Sequence, residues 1–140
     1  MTTTSDPVLI IDDHFDTRSL LVELLELEGF TVVSAGSGQE ALAVVREVRP
    51  CLVLLDLGLP DVDGIELVLR LRAEVNGAGT PIYAFSGFTN LRDAALAAGL
   101  DGFLVKPVSG DDLRQLVSHH CSSPPPPLEV TQVEPPLSTA

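Results

Sequence analysis

Cys51-Leu52-Val53-Leu54-Leu55-Asp56 is an apolar run that stops on a carboxylate, and Leu57-Gly58-Leu59-Pro60 follows it. No polar residue alternates within Cys51 to Leu55. Such a run reads as a strand buried on both faces, which is the habit of parallel sheets. Four further short runs resemble it: Val8-Leu9-Ile10-Ile11, Thr31-Val32-Val33, Pro81 to Phe85, and Gly102 to Val105. Each is followed by a stretch of helical character.

Spacing predicts the first helix over Asp16 to Glu28, with Leu20, Leu24 and Leu27 on its buried face and Gly29 ending it. The second, Ser37 to Val48, groups Ala41, Val44, Val45 and Val48, with Pro50 just beyond. The third, Ile65 to Val75, buries Leu67, Val68 and Leu71. An Ala-rich fourth runs from Asn90 to Ala98 and closes at Gly99. The fifth, Ser109 to His120, carries Leu113, Leu116 and Val117. Five strand–helix units in strict alternation imply right-handed crossovers. The fold class is therefore α/β: a doubly wound, five-stranded parallel sheet between two helical layers.

The chain has 140 residues, 20 of them acidic and 8 basic, for a formal net charge of −12. One folded domain is the natural count at this length. The acid excess argues against nucleic acid and against an anionic membrane surface, since both need basic patches. No apolar run approaches the roughly 18 residues of a membrane span, and no secretory leader is visible. A cytoplasmic location is the expectation. Cys51 and Cys121 form no framework and read as two free thiols of a reducing compartment. Residues 1–6 read as an extension and 7–120 as the folded body. Residues 121–140 hold six of the eleven prolines and read as a disordered tail.

In such a sheet the loops after the strands share one edge, and ligands bind there. That edge collects Asp12 and Asp13, then Asp56, then Ser86, then Lys106. Three neighbouring carboxylates repel one another unless a cation relieves them. Mg²⁺ suits such oxygen donors and is often shared with a phosphoryl group. Lys106 and Ser86 then serve as partners of that anion. Asp56 ends the central strand and stands as the nucleophile of an aspartyl-phosphate. Lys106 is also the only lysine, against seven arginines. A compact point charge differs from a planar guanidinium fork in what it can reach.

Each residue alone has a plainer reading. Acid pairs cap helices, and an Asp at a strand end is commonly a turn residue. His14 reads as a solvated loop residue rather than an acceptor or metal ligand. His119 and His120 read as surface residues.

Taken together, Val8 to Asp13, Leu54 to Gly64 and Gly99 to Pro107 resemble the receiver domain of two-component response regulators. The resemblance covers residues 7–120 and implies a flavodoxin-like, receiver-type three-layer sandwich. It further implies that Asp56 is the phosphoacceptor, charged from a histidine kinase or histidine phosphotransfer protein. Asp12, Asp13, Asp56 and the backbone carbonyl of Gly58 would hold Mg²⁺, with Mn²⁺ as the alternative. Lys106 and Ser86 would bind the phosphoryl group, Ser86 and Phe103 would form the switch, and the Lys106–Pro107 peptide would be cis. A phenylalanine at position 103 lacks the hydroxyl of a tyrosine and should favour the inward state. Gly58 should open a water path to the acyl phosphate, and Phe88 should close it. Output would pass to a protein target through the face of helix four, strand five and helix five, including Asn90, Leu91, Arg92, Asp111 and Arg114. No separate catalytic domain is implied, and a stand-alone regulator is the expectation.

Other classes fit less well. A haloacid-dehalogenase-type phosphatase needs an acid two residues past its nucleophile, where Gly58 stands. Asp12 and Asp13 would repel a flavin phosphate. A receiver fragment of a larger regulator or hybrid kinase, and a non-phosphorylated interaction module, stay open.

Overall fold

A computed structural model describes residues 6–59, 63–75, 79–86, 92–106 and 109–121. In chain order the elements are β1 (Val8–Ile11), α1 (Phe15–Leu27), β2 (Val32–Ala35), α2 (Gly38–Glu47) and β3 (Leu52–Asp56). Then follow α3 (Gly64–Val75), β4 (Ile82–Ser86), α4 (Arg92–Ala97), β5 (Gly102–Val105) and α5 (Gly110–His120). The strands form one parallel sheet in the order β2-β1-β3-β4-β5.

The unbroken apolar runs acquire their meaning here. Along β1, Leu9 and Ile11 pack against α2, α3 and α4, while Val8 and Ile10 pack against α1 and α5. Along β3, Val53 and Leu55 join the first cluster, and Leu52 and Leu54 the second. Side chains alternate across a strand, so a strand covered on both sides has no polar position to spare.

Helix ends follow local chemistry. The hydroxyls of Ser37 and Ser109 accept hydrogen bonds from the N–H groups of Glu40 (3.1 Å) and Asp112 (3.0 Å), capping α2 and α5. Asp63 does the same for α3, accepting from Ile65 at 2.9 Å and Glu66 at 3.2 Å. Gly29 and Gly99 end α1 and α4 in the left-handed region, at φ 95° and 122°.

Three expectations need correction. First, α1 buries Leu25, with Leu21, Val22 and Leu24 half-covered, whereas Leu20 and Leu27 face solvent. A helix with leucines at 20, 21, 24, 25 and 27 offers two adjacent apolar rows, and period alone does not choose between them. Second, Cys51 and Cys121 are joined by a disulfide, with Cα atoms 5.5 Å apart. Helices antiparallel to the strands return to the sheet's amino edge. The end of α5 thus meets the start of β3 across 70 residues of sequence. Cys121 is buried in the body rather than opening a tail. Third, His120 is half-buried, with Nε2 3.3 Å from the Tyr83 hydroxyl. Residues 122–140 lie outside the described residues.

Candidate functional site

Strand register assembles the site. Ile11 pairs with Leu55, so the next residues, Asp12 and Asp56, leave adjacent strands side by side. Asp56 pairs with Phe85, which places Ser86 one step further on β4. Ser86 pairs with Val105, and the Lys106 N–H donates to the Ser86 carbonyl at 2.9 Å. Four strands thus deliver Asp12, Asp56, Ser86 and Lys106 to one carboxyl edge. Phe103 lies on β5 beside Ala84 and is half-buried against the α2–α3–α4 cluster. Pro107, Phe88, Asn90 and Leu91 lie outside the described residues, as does the Lys106–Pro107 peptide.

Asp12, Asp56 and Ser86 are buried polar residues. Lys106 Nζ sits 3.2 Å from Asp56 Oδ2 and 3.8 Å from Asp12 Oδ2, and it lies over the Phe85 ring. Asp56 Oδ1 accepts from the Gly58 N–H at 2.9 Å, which holds the carboxylate while the chain turns. Gly64 keeps that turn tight: a Cβ there would stand 2.5 Å from the Leu57 carbonyl oxygen.

Asp12 Oδ2 and Asp13 Oδ1 are buried and accept no hydrogen bond among the described residues. A buried acceptor without a donor costs about 1–3 kcal/mol, more when charged. Carboxylate oxygens left bare next to one another are what a hard divalent cation relieves. Donor atoms of Asp12, Asp13, His14 and Asp56 all lie within 4.8 Å of one another. The residues present therefore fit a metal ion.

Two neighbours border the site: Arg18, which sequence reasoning missed, and His14, which it read as a solvated loop residue. Arg18 Nη1 donates to the Asp12 carbonyl at 2.7 Å and holds the β1–α1 loop from the helix side. His14, although 68% exposed, turns Nδ1 to 3.3 Å from Asp12 Oδ1 and 3.4 Å from Asp13 Oδ1. Its place directly after the acid pair was the available signal.

The family model for the response regulator receiver domain matches residues 8–118. The chain belongs to this family. Receiver domains are the phosphoacceptor modules of two-component signalling, and the doubly wound sheet is their fold. This receiver is 37% identical over 121 residues to an uncharacterized 14.6 kDa protein of Leptolyngbya boryana, covering 85% of this chain and 92% of that one. It is 37% identical to the DNA-binding response regulator MtrA of Mycobacterium tuberculosis, over 81% of this chain and 49% of MtrA. The receiver thus spans about half the length of that relative. Among solved structures, the chemotaxis response regulator CheY4 of Vibrio cholerae superposes with a TM-score of 0.75 at 28% identity, covering 83% of this chain and 98% of that one. The response regulator TrrA of Thermotoga maritima, in complex with Mg²⁺ and BeF, gives 0.72 at 27% identity, over 81% and 97% of the two chains. No described helix is long and apolar enough to cross a membrane.

Proposed function

We propose that Asp56 accepts a phosphoryl group and that Asp12, Asp13, Asp56 and the Gly58 carbonyl hold the Mg²⁺ ion this requires, with Mn²⁺ as a substitute. One observation carries the reading. The buried Asp56 carboxylate has Lys106 Nζ 3.2 Å away, and the neighbouring Asp12 Oδ2 and Asp13 Oδ1 are buried with no hydrogen-bond donor among the described residues. A carboxylate oxygen of Asp56 attacks the phosphorus of a phosphohistidine on a histidine kinase or phosphotransfer protein. The P–O bond forms as the P–N bond breaks, and the electron pair leaves with the imidazole nitrogen. The bound metal supplies positive charge to the phosphoryl oxygens. Lys106 supplies the second cation, and the Ser86 hydroxyl a neutral donor.

Phosphorylation then biases a two-state equilibrium. Ser86 is drawn to the phosphoryl group, and Phe103 follows inward. The surface of α4, β5 and α5 carries the change to a protein target. Val105 is 50% exposed there, Arg92 and Asp111 are solvent-facing, and Arg114 is ion-paired to Asp111 at 2.8 Å. The receiver body in this reading is residues 7–121, Cys121 included, and its compartment is the cytoplasm.

Incubation with acetyl phosphate and Mg²⁺, read by intact mass, tests the assignment. The wild type should gain one phosphoryl group that hydroxylamine removes. Asp56→Asn, or wild type in EDTA, should gain none. Absence of modification in wild type sinks Asp56 as an acceptor. Phe103→Tyr should change partner affinity with or without phosphate; equal affinities in both states would remove Phe103 from the switch.

A further inference from the structure

Beside the three carboxylates stands a nitrogen donor that a plain oxygen site for Mg²⁺ does not use. His14 Nδ1 lies nearly equidistant from two carboxylate oxygens, at 3.3 Å from Asp12 Oδ1 and 3.4 Å from Asp13 Oδ1. The contact to Asp12 Oδ1 is a long hydrogen bond, and both separations exceed the roughly 2.7–2.9 Å of a charge-assisted one, as when one N–H is divided between two acceptors. They also match donors arranged around a shared ion. With metal–ligand bonds of about 2.05 Å, the edge of a coordination tetrahedron is about 3.3 Å. Asp13 Oδ1, one of these two oxygens, is a buried atom with no hydrogen-bond donor. Asp12 Oδ2, from a wholly buried side chain, is another. The ring reaches this position because the His14 backbone N–H is fastened to Asp12 Oδ1 at 2.9 Å. Arg18, bonded to the Asp12 carbonyl, holds the same loop from behind.

We propose that His14 Nδ1 is a metal ligand, so that this site takes borderline first-row dications such as Co²⁺ through a mixed imidazole–carboxylate set. Mg²⁺ is served by the oxygens, and gains little from a nitrogen. Co²⁺, Ni²⁺ and Zn²⁺ favour imidazole, so the ring raises their affinity relative to Mg²⁺. The inference rests on the reading of Asp12, Asp13 and Asp56 as the receiver's metal site. It adds a ligand and a metal class to it.

Calorimetric titration of the untagged full chain with CoCl₂ and with MgCl₂ tests this, beside His14→Phe and Asp13→Asn. Loss of an outer partner alone costs about tenfold or more in metal affinity. Accordingly, His14→Phe should lower the Co²⁺-to-Mg²⁺ affinity ratio at least about tenfold. An unchanged ratio overturns the proposal while leaving the carboxylate site intact. Failure of wild type to bind Mg²⁺ at all overturns both readings. Titration of Asp13→Asn separates the two histidines at the end of α5 from the site: undiminished Co²⁺ binding there would place the ion elsewhere and overturn the proposal.

Discussion

Lys106 Nζ and Asp56 Oδ2 stand 3.2 Å apart across the carboxyl edge of the sheet, although their strands, β5 and β3, are separated by β4. Neither strand could place the pair alone. It is the parallel register through Phe85 and Ser86 that brings the ammonium over the carboxylate. The Phe85 ring lies beneath Nζ and limits where the flexible stem can go.

The first prediction concerns this pair. Removing one preorganised donor from a site where charge develops costs about 10²–10³ in rate. Lys106→Ala should therefore slow phosphorylation by acetyl phosphate about a hundredfold. Lys106→Arg should not restore it, because a planar fork meets the two carboxylates with a different geometry. The time course of intact mass measures both. Wild-type rates in Lys106→Ala would remove Lys106 from the phosphoryl site.

A second prediction follows from crowding. Asp12 and Asp56 share one ammonium and Asp13 adds a third carboxylate beside them, so without metal the site is under like-charge strain. In EDTA, Asp13→Asn should melt above wild type, by about 1 kcal/mol, or roughly 4 °C for a domain of this size. Mg²⁺ should raise the wild-type melting temperature by mass action and leave that of Asp13→Asn nearly unmoved. Differential scanning fluorimetry with and without MgCl₂ decides it. A lower melting temperature for the variant in EDTA would show that Asp13 is held by attraction instead.

The strands were legible in the sequence because burial on both faces leaves an uninterrupted apolar run, and the site was legible because parallel strands must end on a common edge. Most of what escaped depends on contacts between distant segments. The choice of Leu21 and Leu25 over Leu20 and Leu27 is made by what lies under α1, not by its own period. The side chain of His14 is aimed by its own backbone bond to Asp12, a local event that composition does not mark. The meeting of Cys51 and Cys121 depends on where α5 ends relative to β3.

That disulfide yields a third prediction. A cross-link closing a loop of 70 residues restricts the unfolded chain and contributes up to about 4 kcal/mol in the loop-entropy account. Cys121→Ser, or wild type in excess dithiothreitol, should unfold at lower urea than the oxidised protein. The reduced pair would pack as small apolar groups, so the fold should persist and phosphorylation should continue. Urea melts with and without reductant provide the measurement. Identical midpoints would mean the bond adds nothing to stability.

The fourth prediction concerns pH. His120 is half-buried at the end of α5, where burial, and then the neighbouring His119, lower its pKa below the ordinary value of 6.5; Asp101 opposes them weakly. A lowered folded value means the unfolded chain binds the proton more readily. The unfolded state therefore gains protons first as pH falls through 6.5, and stability declines from there down through the folded pKa. Above pH 7 both states hold a neutral ring and this contribution is fully present. The Tyr83 hydroxyl, 3.3 Å from Nε2, has a partner in the neutral ring that protonation would turn into a donor only. Urea melts at pH 7.5 and 5.5 should show a loss on acidification that is smaller in His120→Gln. Equal losses in the two proteins would assign the acid sensitivity to other groups.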